Sequence, residues 1–344
     1  MNLAEKAEIL AEEGRFDLCT GVPGAVYKSQ MNLFKTLMTN ACSFDCKYCF
    51  NGCSSRKIYS YTPNELANVF MQLYSTGQVD GLFLSSGVAG SADATMETMV
   101  DAVKKVRGSG FKGYVHMKVL PGASKDMVRQ AASVADRISI NIEAPNRSRL
   151  LELSTTKDFD KDIIKIQRYI KEARPRAGQT TQMVIGAGDE TDLEVLDAAD
   201  WEYRDMGLNR VYYSTFVPIK GTLLAERNQE SAGRIRRLYS ADFLMREYKI
   251  PFKEIRGILD DGNLPSGDPK TILALERFDK PLDINEAEFE DLIRIPGIGL
   301  KTAYIFDFLK DLKPRQKAKL RKLIPKKAEP FLKIDGHSQK RLIR

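Results

Sequence analysis

Cysteine and histidine are both scarce in this chain: its 344 residues include five cysteines and two histidines. An odd number of cysteines, three of them clustered, argues against a disulfide framework and for metal ligation in a reducing compartment. The two histidines, His116 and His337, are too few for a histidine-rich metal site. We therefore expect a cytoplasmic protein whose metal chemistry depends on cysteine.

Long apolar runs are also missing. The sequence contains no run of roughly eighteen apolar residues, the minimum for a membrane-spanning helix. Its N-terminal residues lack the basic-then-apolar order of a signal peptide. These absences predict a protein without a membrane partner. With 43% hydrophobic residues, the chain is long enough to bury a full core and fits one large domain with a small one.

What the chain does contain is a compact cysteine motif. Cys42, Cys46 and Cys49 have a C-x3-C-x2-C spacing that lets one loop surround a metal cluster. Thiolates are soft ligands, and three of them leave one iron of a four-iron cluster without a protein ligand, free to bind substrate. Cys53 follows closely, so a closed four-cysteine site, with zinc or a ferredoxin-type cluster and a structural role, is the alternative.

Strand-like and helix-like segments alternate after this motif. Six short segments are apolar and rich in β-branched or aromatic residues, which predicts strands, and helical periodicity fills the gaps between them. Thr62 and Glu65 have the spacing of a capping box at the start of one predicted helix. Six β-α units predict a parallel sheet curled into a partial barrel. The predicted strands span 31–38, 81–86, 113–119, 137–143, 180–186 and 209–216.

The C-terminal segment is strongly basic. Residues 291–344 include fifteen Lys or Arg and five Asp or Glu, whereas the net charge of the whole chain is only +7. Such a segment is typical of a polyanion-binding appendage, although a solvated basic helix face has the same composition.

The residues 296–299 in this segment, Pro-Gly-Ile-Gly, stand between two apolar helix-like stretches and resemble a helix-hairpin-helix motif. Gly297 and Gly299 permit a tight turn, so that N–H groups at the start of the second helix face a phosphate, and Lys301 adds charge. This pattern predicts DNA binding without sequence preference. The alternative is a hairpin that only packs helices together.

The cysteine motif before a predicted barrel resembles the radical S-adenosylmethionine (SAM) superfamily. In that superfamily the iron without a cysteine chelates the amino and carboxylate groups of SAM, and the reduced [4Fe-4S] cluster cleaves SAM to a 5′-deoxyadenosyl radical. The resemblance implies an α/β fold with a partial (β/α)6 barrel, both cofactors, and an electron donor such as ferredoxin or flavodoxin. It also implies that Cys42, Cys46 and Cys49 are the cluster ligands and that Tyr48 is the aromatic residue of the motif.

The same resemblance implies a SAM pocket at the strand ends. Ser85, Ser86 and Gly87 stand where the superfamily has a Gly-Gly-Glu motif, whose backbone carbonyls bind the SAM amino group; the chain departs from it at the first glycine and at the acid. Asn141 and Glu143 alternate onto one face of the fourth predicted strand, like the paired residues that hold the ribose. Two further expectations are Lys118 for the SAM carboxylate, and Ile185 with Gly186 for the adenine.

Longer runs resemble a narrower family of radical SAM proteins assigned to DNA modification or repair and encoded beside a uracil-DNA-glycosylase-like protein. Examples are the runs 82–88, 140–145 and 213–218. In that family a helix-hairpin-helix segment follows the barrel, which implies DNA as the substrate and the glycosylase-like protein as a partner. The chain departs from the family at Cys53, where a basic residue is expected.

Four regions are predicted: an N-terminal extension (1–30), the barrel (31–250), a connecting segment (251–284), and an all-α helix-hairpin-helix region with a basic tail (285–344). Cys19 and Cys53 are candidate hydrogen-atom donors to a product radical, since a thiol near a radical can quench it; an inert buried cysteine is the alternative. The predicted function is a radical SAM enzyme acting on nucleic acid. The alternatives are the same chemistry on a protein or small molecule, and a non-enzymatic DNA-binding scaffold with a closed structural metal site.

Overall fold

The computed structural model describes residues 3–14, 31–52, 57–284, 286–308, 324–334 and 337–338. The chain divides into two compact units. The first comprises Met1–Glu190 and Asp197–Ile235, and the second comprises Thr191–Leu196 and Arg236–Arg344. The barrel was expected to end at residue 250, which lies inside the second unit.

Six parallel strands form the sheet of the first unit, in the order β1-β2-β3-β4-β5-β6. Each strand pairs with the next one along the chain, so every connection is a crossover that carries helix. All five residues of β2 are buried, as expected for a parallel strand covered on both faces. This is the predicted α/β half-barrel. Its strands are Leu33–Leu37 (β1), Gly81–Ser85 (β2), Tyr114–Lys118 (β3), Arg137–Ser139 (β4), Gln179–Ile185 (β5) and Arg210–Thr215 (β6).

The helices follow the predicted pattern with two additions, α1 and α5. The capping box is confirmed: the Thr62 side chain accepts from the Glu65 amide, and the Glu65 side chain accepts from the Thr62 amide. The helical segments that follow β4 and β5 each contain a π-helical turn, Phe159–Ile164 and Glu202–Met206 respectively. The helices are Leu3–Gly14 (α1), Pro63–Ser75 (α2), Ala92–Gly108 (α3), Lys125–Val134 (α4), Arg147–Leu153 (α5), Lys165–Ala173 (α6), Asp192–Trp201 (α7) and Ala232–Arg246 (α8).

Strand β4 is shorter than predicted, and its early end matters for the site. The strand was expected to reach residue 143 but stops at Ser139. Glu143 has a φ of 63°, a left-handed conformation that is uncommon for a residue other than glycine and interrupts the regular strand. The hydroxyl of Thr181 replaces part of the ladder: it accepts from the Ile142 amide at 3.0 Å and donates to the Ile140 carbonyl at 2.7 Å. Asn141 and Glu143 therefore lie beyond the regular strand, where Glu143 forms an isolated parallel bridge with Met183 of β5.

The second unit has its own core. Its helix-hairpin-helix region was expected to be all α, but the unit also contains β-strands. A small sheet in the order β7-β8-β9 accompanies its helices, and its strands of two or three residues are too short to give a periodic signal. Ile295, Ile298, Ala303 and Phe306 belong to the buried core around the 296–299 hairpin. The elements are Phe252–Gly257 (α9), Pro269–Arg277 (α10), Leu282–Asp283 (β7), Phe289–Leu292 (α11), Leu300–Phe308 (α12), Leu332–Ile334 (β8) and His337–Ser338 (β9). In the parts of the chain that the structure describes, no helix has the length and apolar character needed to cross a membrane.

Candidate active site at the carboxyl end of the half-barrel

The cysteine loop follows β1 and is attached to the residues that follow β2. The Met38 amide donates to the Ser85 carbonyl at 2.8 Å, and the Ser43 amide donates to the Val88 carbonyl at 2.8 Å. Gly87 allows this close approach, because a Cβ atom there would lie 2.2 Å from the Ala41 carbonyl oxygen. The serine–serine–glycine sequence thus brings the backbone after β2 against the cysteine loop.

Cys42, Cys46 and Cys49 all line one cavity of about 220 Å³. Burial raises the pKa of the Cys46 thiol, and it raises the pKa of Cys49 to about 12. A metal bound at this site would favour their thiolate forms, since a coordinating thiol is deprotonated.

The arrangement of these thiols fits a cluster better than a single ion. Among the described residues, no group of three His, Cys, Asp or Glu side chains is arranged to hold one metal ion. A zinc ion requires its ligands around a single point, whereas each cysteine of a four-iron cluster binds its own iron. Three soft thiolates that line one cavity therefore fit a [4Fe-4S] cluster with one iron open to the cavity.

Asp45, between the first two cysteines, anchors the ligand loop to the segment after α5. Its Oδ1 accepts hydrogen bonds from the Thr156 hydroxyl at 2.7 Å and the Ser154 hydroxyl at 2.5 Å, and the Thr155 amide donates to both oxygens at 3.1 Å. Burial alone would raise the pKa of Asp45, but these hydrogen bonds outweigh it and hold the pKa well below its usual range. Sequence analysis did not single out Asp45.

Lys157, at the end of the same segment, is a second residue that sequence analysis missed. Its side chain is 6% exposed, its Nζ lies 3.4 Å from Glu143 Oε1, and it is 5.4 Å from the centroid of the Phe44 ring. It also hydrogen-bonds to Cys46, and although burial would lower the pKa of Lys157, attraction to a Cys46 thiolate and to the Glu143 carboxylate raises it above its ordinary value. The Tyr48 hydroxyl bonds to Glu143 as well, and burial and that carboxylate raise the pKa of Tyr48. A buried network thus adjoins the cluster ligands.

Lys118, at the end of β3, lines the same cavity in different surroundings. Its Nζ donates to Asn141 Oδ1 and lies 5.8 Å from the centroid of the Phe83 ring. Within the described residues Lys118 has no carboxylate partner. The cavity therefore presents two lysines, Lys157 against a cluster cysteine and Lys118 against an amide oxygen.

The remaining predicted site residues divide into four groups. Tyr48, Ser85, Ser86, Asn141 and Glu143 line the cavity with the cysteines. The predicted adenine residues, Ile185 and Gly186, are not among the described residues that line the cavity. Their sequence neighbour Val184 lines it, and so does Phe216. Cys19 and Cys53 lie outside the described residues. The hairpin residues Gly297, Gly299 and Lys301 belong to the second unit.

The loop after β5 is fixed by charged side chains. Gly186 has a φ of 87°, and a Cβ there would lie 2.6 Å from Glu230 Cβ, so only glycine fits. The Gly186 amide donates to Glu190 Oε1 at 2.7 Å, and Arg227 Nε donates to the Gly186 carbonyl at 2.8 Å. The predicted role of Ile185 and Gly186 in adenine binding stays a prediction, and their observed part is to shape this loop.

Comparison with known proteins agrees with this site. Residues 36–201 match the Radical SAM superfamily model. The chain is 22% identical over 203 residues to tRNA-2-methylthio-N(6)-dimethylallyladenosine synthase of Bacillus subtilis, covering 57% of this chain and 40% of that protein. The synthase of the same name from Lachnoclostridium phytofermentans is also 22% identical, over 53% of this chain and 41% of that protein. The chain thus spans less than half the length of these curated relatives.

Solved structures share the fold at low sequence identity. Methylornithine synthase PylB has a TM-score of 0.52 at 15% identity, covering 72% of this chain and 68% of that one. The FeFe-hydrogenase maturase HydG from Carboxydothermus hydrogenoformans has a TM-score of 0.53 at 14% identity, covering 72% and 60%. These likenesses show a shared half-barrel. The superfamily match over residues 36–201, together with the three-thiolate loop, identifies a radical SAM domain in this chain, and the chain is a radical SAM enzyme with a [4Fe-4S] cluster and SAM as its cofactors.

Proposed function

We propose that this radical SAM enzyme acts on nucleic acid, with DNA as its substrate in modification or repair. When bound, the cluster and SAM supply a 5′-deoxyadenosyl radical that abstracts hydrogen from the substrate. The observation that carries the nucleic-acid proposal is the 296–299 hairpin with its basic surroundings.

The hairpin presents backbone N–H groups and positive charge together. Gly297 is exposed and has a φ of 83°, so the turn depends on glycine. Helix α12 begins at Leu300, and the N–H groups of its first turn have no partner within the helix. Lys301 is exposed in that turn. Lys327 Cβ lies 3.5 Å from the position of a Cβ on Gly297, so this lysine borders the hairpin too.

The curated relatives give independent support for a nucleic-acid substrate. Both are named as synthases of a modified adenosine in tRNA. Because the chain spans less than half their length, RNA is the competing choice of nucleic acid rather than a conclusion. The predicted partners, an electron donor such as ferredoxin or flavodoxin and a uracil-DNA-glycosylase-like protein, stay predictions, as does the cytoplasmic location.

Within the barrel, the contacts suggest how the chain's own residues hold the cofactors. Cys42, Cys46 and Cys49 would bind three irons. In this superfamily the carboxylate of SAM chelates the fourth iron and so lies beside the cluster. The lysine that contacts a cluster cysteine is therefore the better candidate to bind the SAM carboxylate. That cation is Lys157, rather than Lys118 as the sequence suggested.

Two further side chains are suited to the polar groups of SAM. Glu143, beside Lys157, stays the predicted ribose partner. Ser86 Oγ is buried and has no hydrogen-bond partner among the described residues. Since Ser86 lines the cavity beside the cysteine loop, we assign its hydroxyl and backbone to the SAM amino group.

One observation favours a second candidate, the same chemistry on a protein or small molecule. The hairpin also packs within its own unit: Lys270 Nζ donates to the Ile298 carbonyl at 2.5 Å, and a Cβ on Gly297 would lie 3.0 Å from Pro325 Cβ. A hairpin with these contacts can serve packing alone. The non-enzymatic scaffold considered above is ruled out, because the chain is a radical SAM enzyme.

Anaerobic turnover tests the proposal directly. The reconstituted full-length enzyme, with SAM and dithionite, would be incubated separately with duplex DNA, single-stranded DNA, tRNA and a tryptic peptide mixture. Mass spectrometry of each substrate after digestion is expected to show a new modified nucleoside in DNA, absent with Cys46→Ala. Modification of tRNA alone would show that the substrate is RNA and not DNA. A change confined to peptides would favour the second candidate function.

A further inference from the structure

The radical SAM cavity has two lysines in unequal surroundings, and the difference suggests a division of labour. Lys157 has a carboxylate partner in Glu143 at 3.4 Å and a cluster cysteine beside it. Lys118 is 7% exposed, and its described polar contact is one amide oxygen, that of Asn141. An ammonium group has three N–H donors, and a buried charge without a counter-charge is costly. Lys118 therefore lacks an anion that Lys157 already has.

Of two titratable residues near Lys118 in the sheet, Lys35 adds positive charge and His116 does not. Lys35 Nζ lies 5.6 Å from the centroid of the Phe83 ring, the ring that Lys118 also approaches at 5.8 Å. His116 is buried and hydrogen-bonded through Nε2 to Ser139 Oγ at 2.7 Å. Burial and the nearby charges of Lys118, Arg137 and Lys35 hold the pKa of His116 well below its usual range, so the imidazole is neutral and adds no positive charge.

A hydroxyl on β6 supplies a further donor. Ser214 is 8% exposed and lines the same cavity, and its Oγ is buried without a hydrogen-bond partner among the described residues. A buried hydroxyl left unpaired is destabilising, so a ligand that accepts from it restores a lost hydrogen bond. The Lys118 contact also fixes the Asn141 amide with Oδ1 towards the ammonium, so that Nδ2 is directed elsewhere as a donor. The three side chains thus offer N–H and O–H donors to the cavity. The two carboxylates in its described lining already have partners: Glu13 accepts from Asn40 Nδ2 at 3.3 Å, and Glu143 lies 3.4 Å from Lys157 Nζ.

We propose that Lys118, Asn141 and Ser214 form a subsite for an oxyanion of the substrate, a phosphate or a carboxylate, separate from the SAM carboxylate at Lys157. Charge-assisted hydrogen bonds from an ammonium, an amide and a hydroxyl to such an anion satisfy the donors that the protein leaves unpaired. This subsite adds a substrate contact to the proposed function. The choice of a nucleotide phosphate as the anion rests on the proposed nucleic-acid substrate. A carboxylate from an amino acid or peptide has the same chemistry and belongs to the second candidate function.

Two matched probe pairs separate the sources of the anion. The reconstituted, SAM-loaded enzyme without reductant would be titrated with thymidine 5′-monophosphate and thymidine, and with N-acetylglutamate and N-acetylglutamine, by ligand-observed NMR. In at least one of the two pairs, the anionic member is expected to bind about tenfold more tightly than its neutral counterpart. A preference in the phosphate pair supports a nucleotide source. A preference confined to the carboxylate pair keeps the subsite but contradicts the nucleic-acid substrate.

Variants then assign the preference to these residues. Lys118→Gln is expected to remove the preference for the anionic probe, and Lys118→Arg is expected to retain most of it. Ser214→Ala is expected to weaken binding of the anionic probe severalfold. Iron content and SAM affinity should stay unchanged in all three, and Lys112→Gln, at an exposed lysine, is the surface control. The proposal is overturned by equal binding within both pairs, or by an unchanged preference in Lys118→Gln. It is also overturned if Lys118→Gln, while folded, loses SAM affinity. If Lys118→Gln does not fold, undiminished binding of the anionic probe by Ser214→Ala decides against the subsite.

Discussion

The carboxylate of Asp45 and the hydroxyl of Thr156 lie 2.7 Å apart in a hydrogen bond that joins residues 111 positions apart in the chain. This contact ties the cysteine loop to the segment that delivers Lys157 to Cys46. The cluster ligands are therefore positioned by a long-range polar contact as well as by the end of β1.

Asp45→Ala should loosen the cysteine loop without removing a cluster ligand. Hydrogen bonds to a charged group contribute about 1.5–3 kcal/mol each when buried, and less when water reaches them, as it does here. We expect lower iron retention after desalting and a lower thermal midpoint. Asp126→Ala, at a side chain that is 81% exposed, is the matched control. Full iron retention in Asp45→Ala would show that the strand end alone holds the loop.

The three-cysteine assignment predicts a clear difference among the cysteines. Cys42→Ala, Cys46→Ala and Cys49→Ala should each abolish the cluster and the production of 5′-deoxyadenosine, because each removes the ligand of one iron. Cys53→Ala should leave the cluster in place. Iron and sulfide analysis with EPR of the reduced protein measures the first effect, and chromatography measures the second. A cluster as dependent on Cys53 as on Cys46 would contradict the open iron site.

Glu143 and Asn141 were predicted as a ribose-binding pair, and the structure separates their surroundings. Glu143 adjoins Lys157 and Tyr48, whereas Asn141 adjoins Lys118. Removing a partner of a desolvated hydroxyl costs about 1–3 kcal/mol, so Glu143→Ala should weaken SAM binding about tenfold with the cluster retained. Asn141→Ala should affect SAM less if Asn141 serves the substrate. Equal losses of SAM affinity, measured by equilibrium dialysis, would restore the original pairing.

The sequence predicted those features of the fold and the site that are encoded by residues close together in the chain, and it missed those that depend on tertiary contacts. The six strands, the capping box at Thr62 and the cysteine loop each depend on neighbouring residues, and all were located. Lys157 was not, because its contact with Cys46 follows from the Asp45 anchor and has no local pattern. The early end of β4 was also missed, since it depends on hydrogen bonds with the Thr181 side chain, a tertiary contact that strand propensity does not encode.

A buried acid on the outer side of the half-barrel predicts a pH effect on stability. Glu202 is 1% exposed; its Oε1 accepts from Gln167 Nε2 at 2.9 Å, while its Oε2 has no partner among the described residues. Burial raises the pKa of Glu202 to about 8. The folded state therefore keeps a proton that the unfolded state loses above its ordinary pKa, so stability falls as pH rises from that value towards 8.

Glu202→Gln should remove this penalty. At pH 7 the gain should be roughly 3 kcal/mol in the free energy of unfolding, at 1.36 kcal/mol for each pKa unit, and near zero at pH 4. Urea unfolding of the apoprotein at both pH values measures it, with Glu97→Gln at an exposed position as the control. A gain of the same size at both pH values would trace the effect to packing.

Lys301 provides the sharpest test of nucleic-acid binding, because it is exposed at the start of α12 and is not part of the core. Replacing Gly297 is less informative, since a side chain at its φ of 83° would be strained and would press on Pro325. Lys301→Gln in the full-length protein should weaken duplex DNA binding severalfold and lower the log–log salt slope by about 0.9, the loss of one phosphate contact. Lys327→Gln should act similarly because Lys327 borders the hairpin, whereas Lys112→Gln should have little effect. Fluorescence anisotropy over a salt series measures each slope, and equal slopes for Lys301→Gln and the unmodified protein would remove the hairpin from the DNA interface.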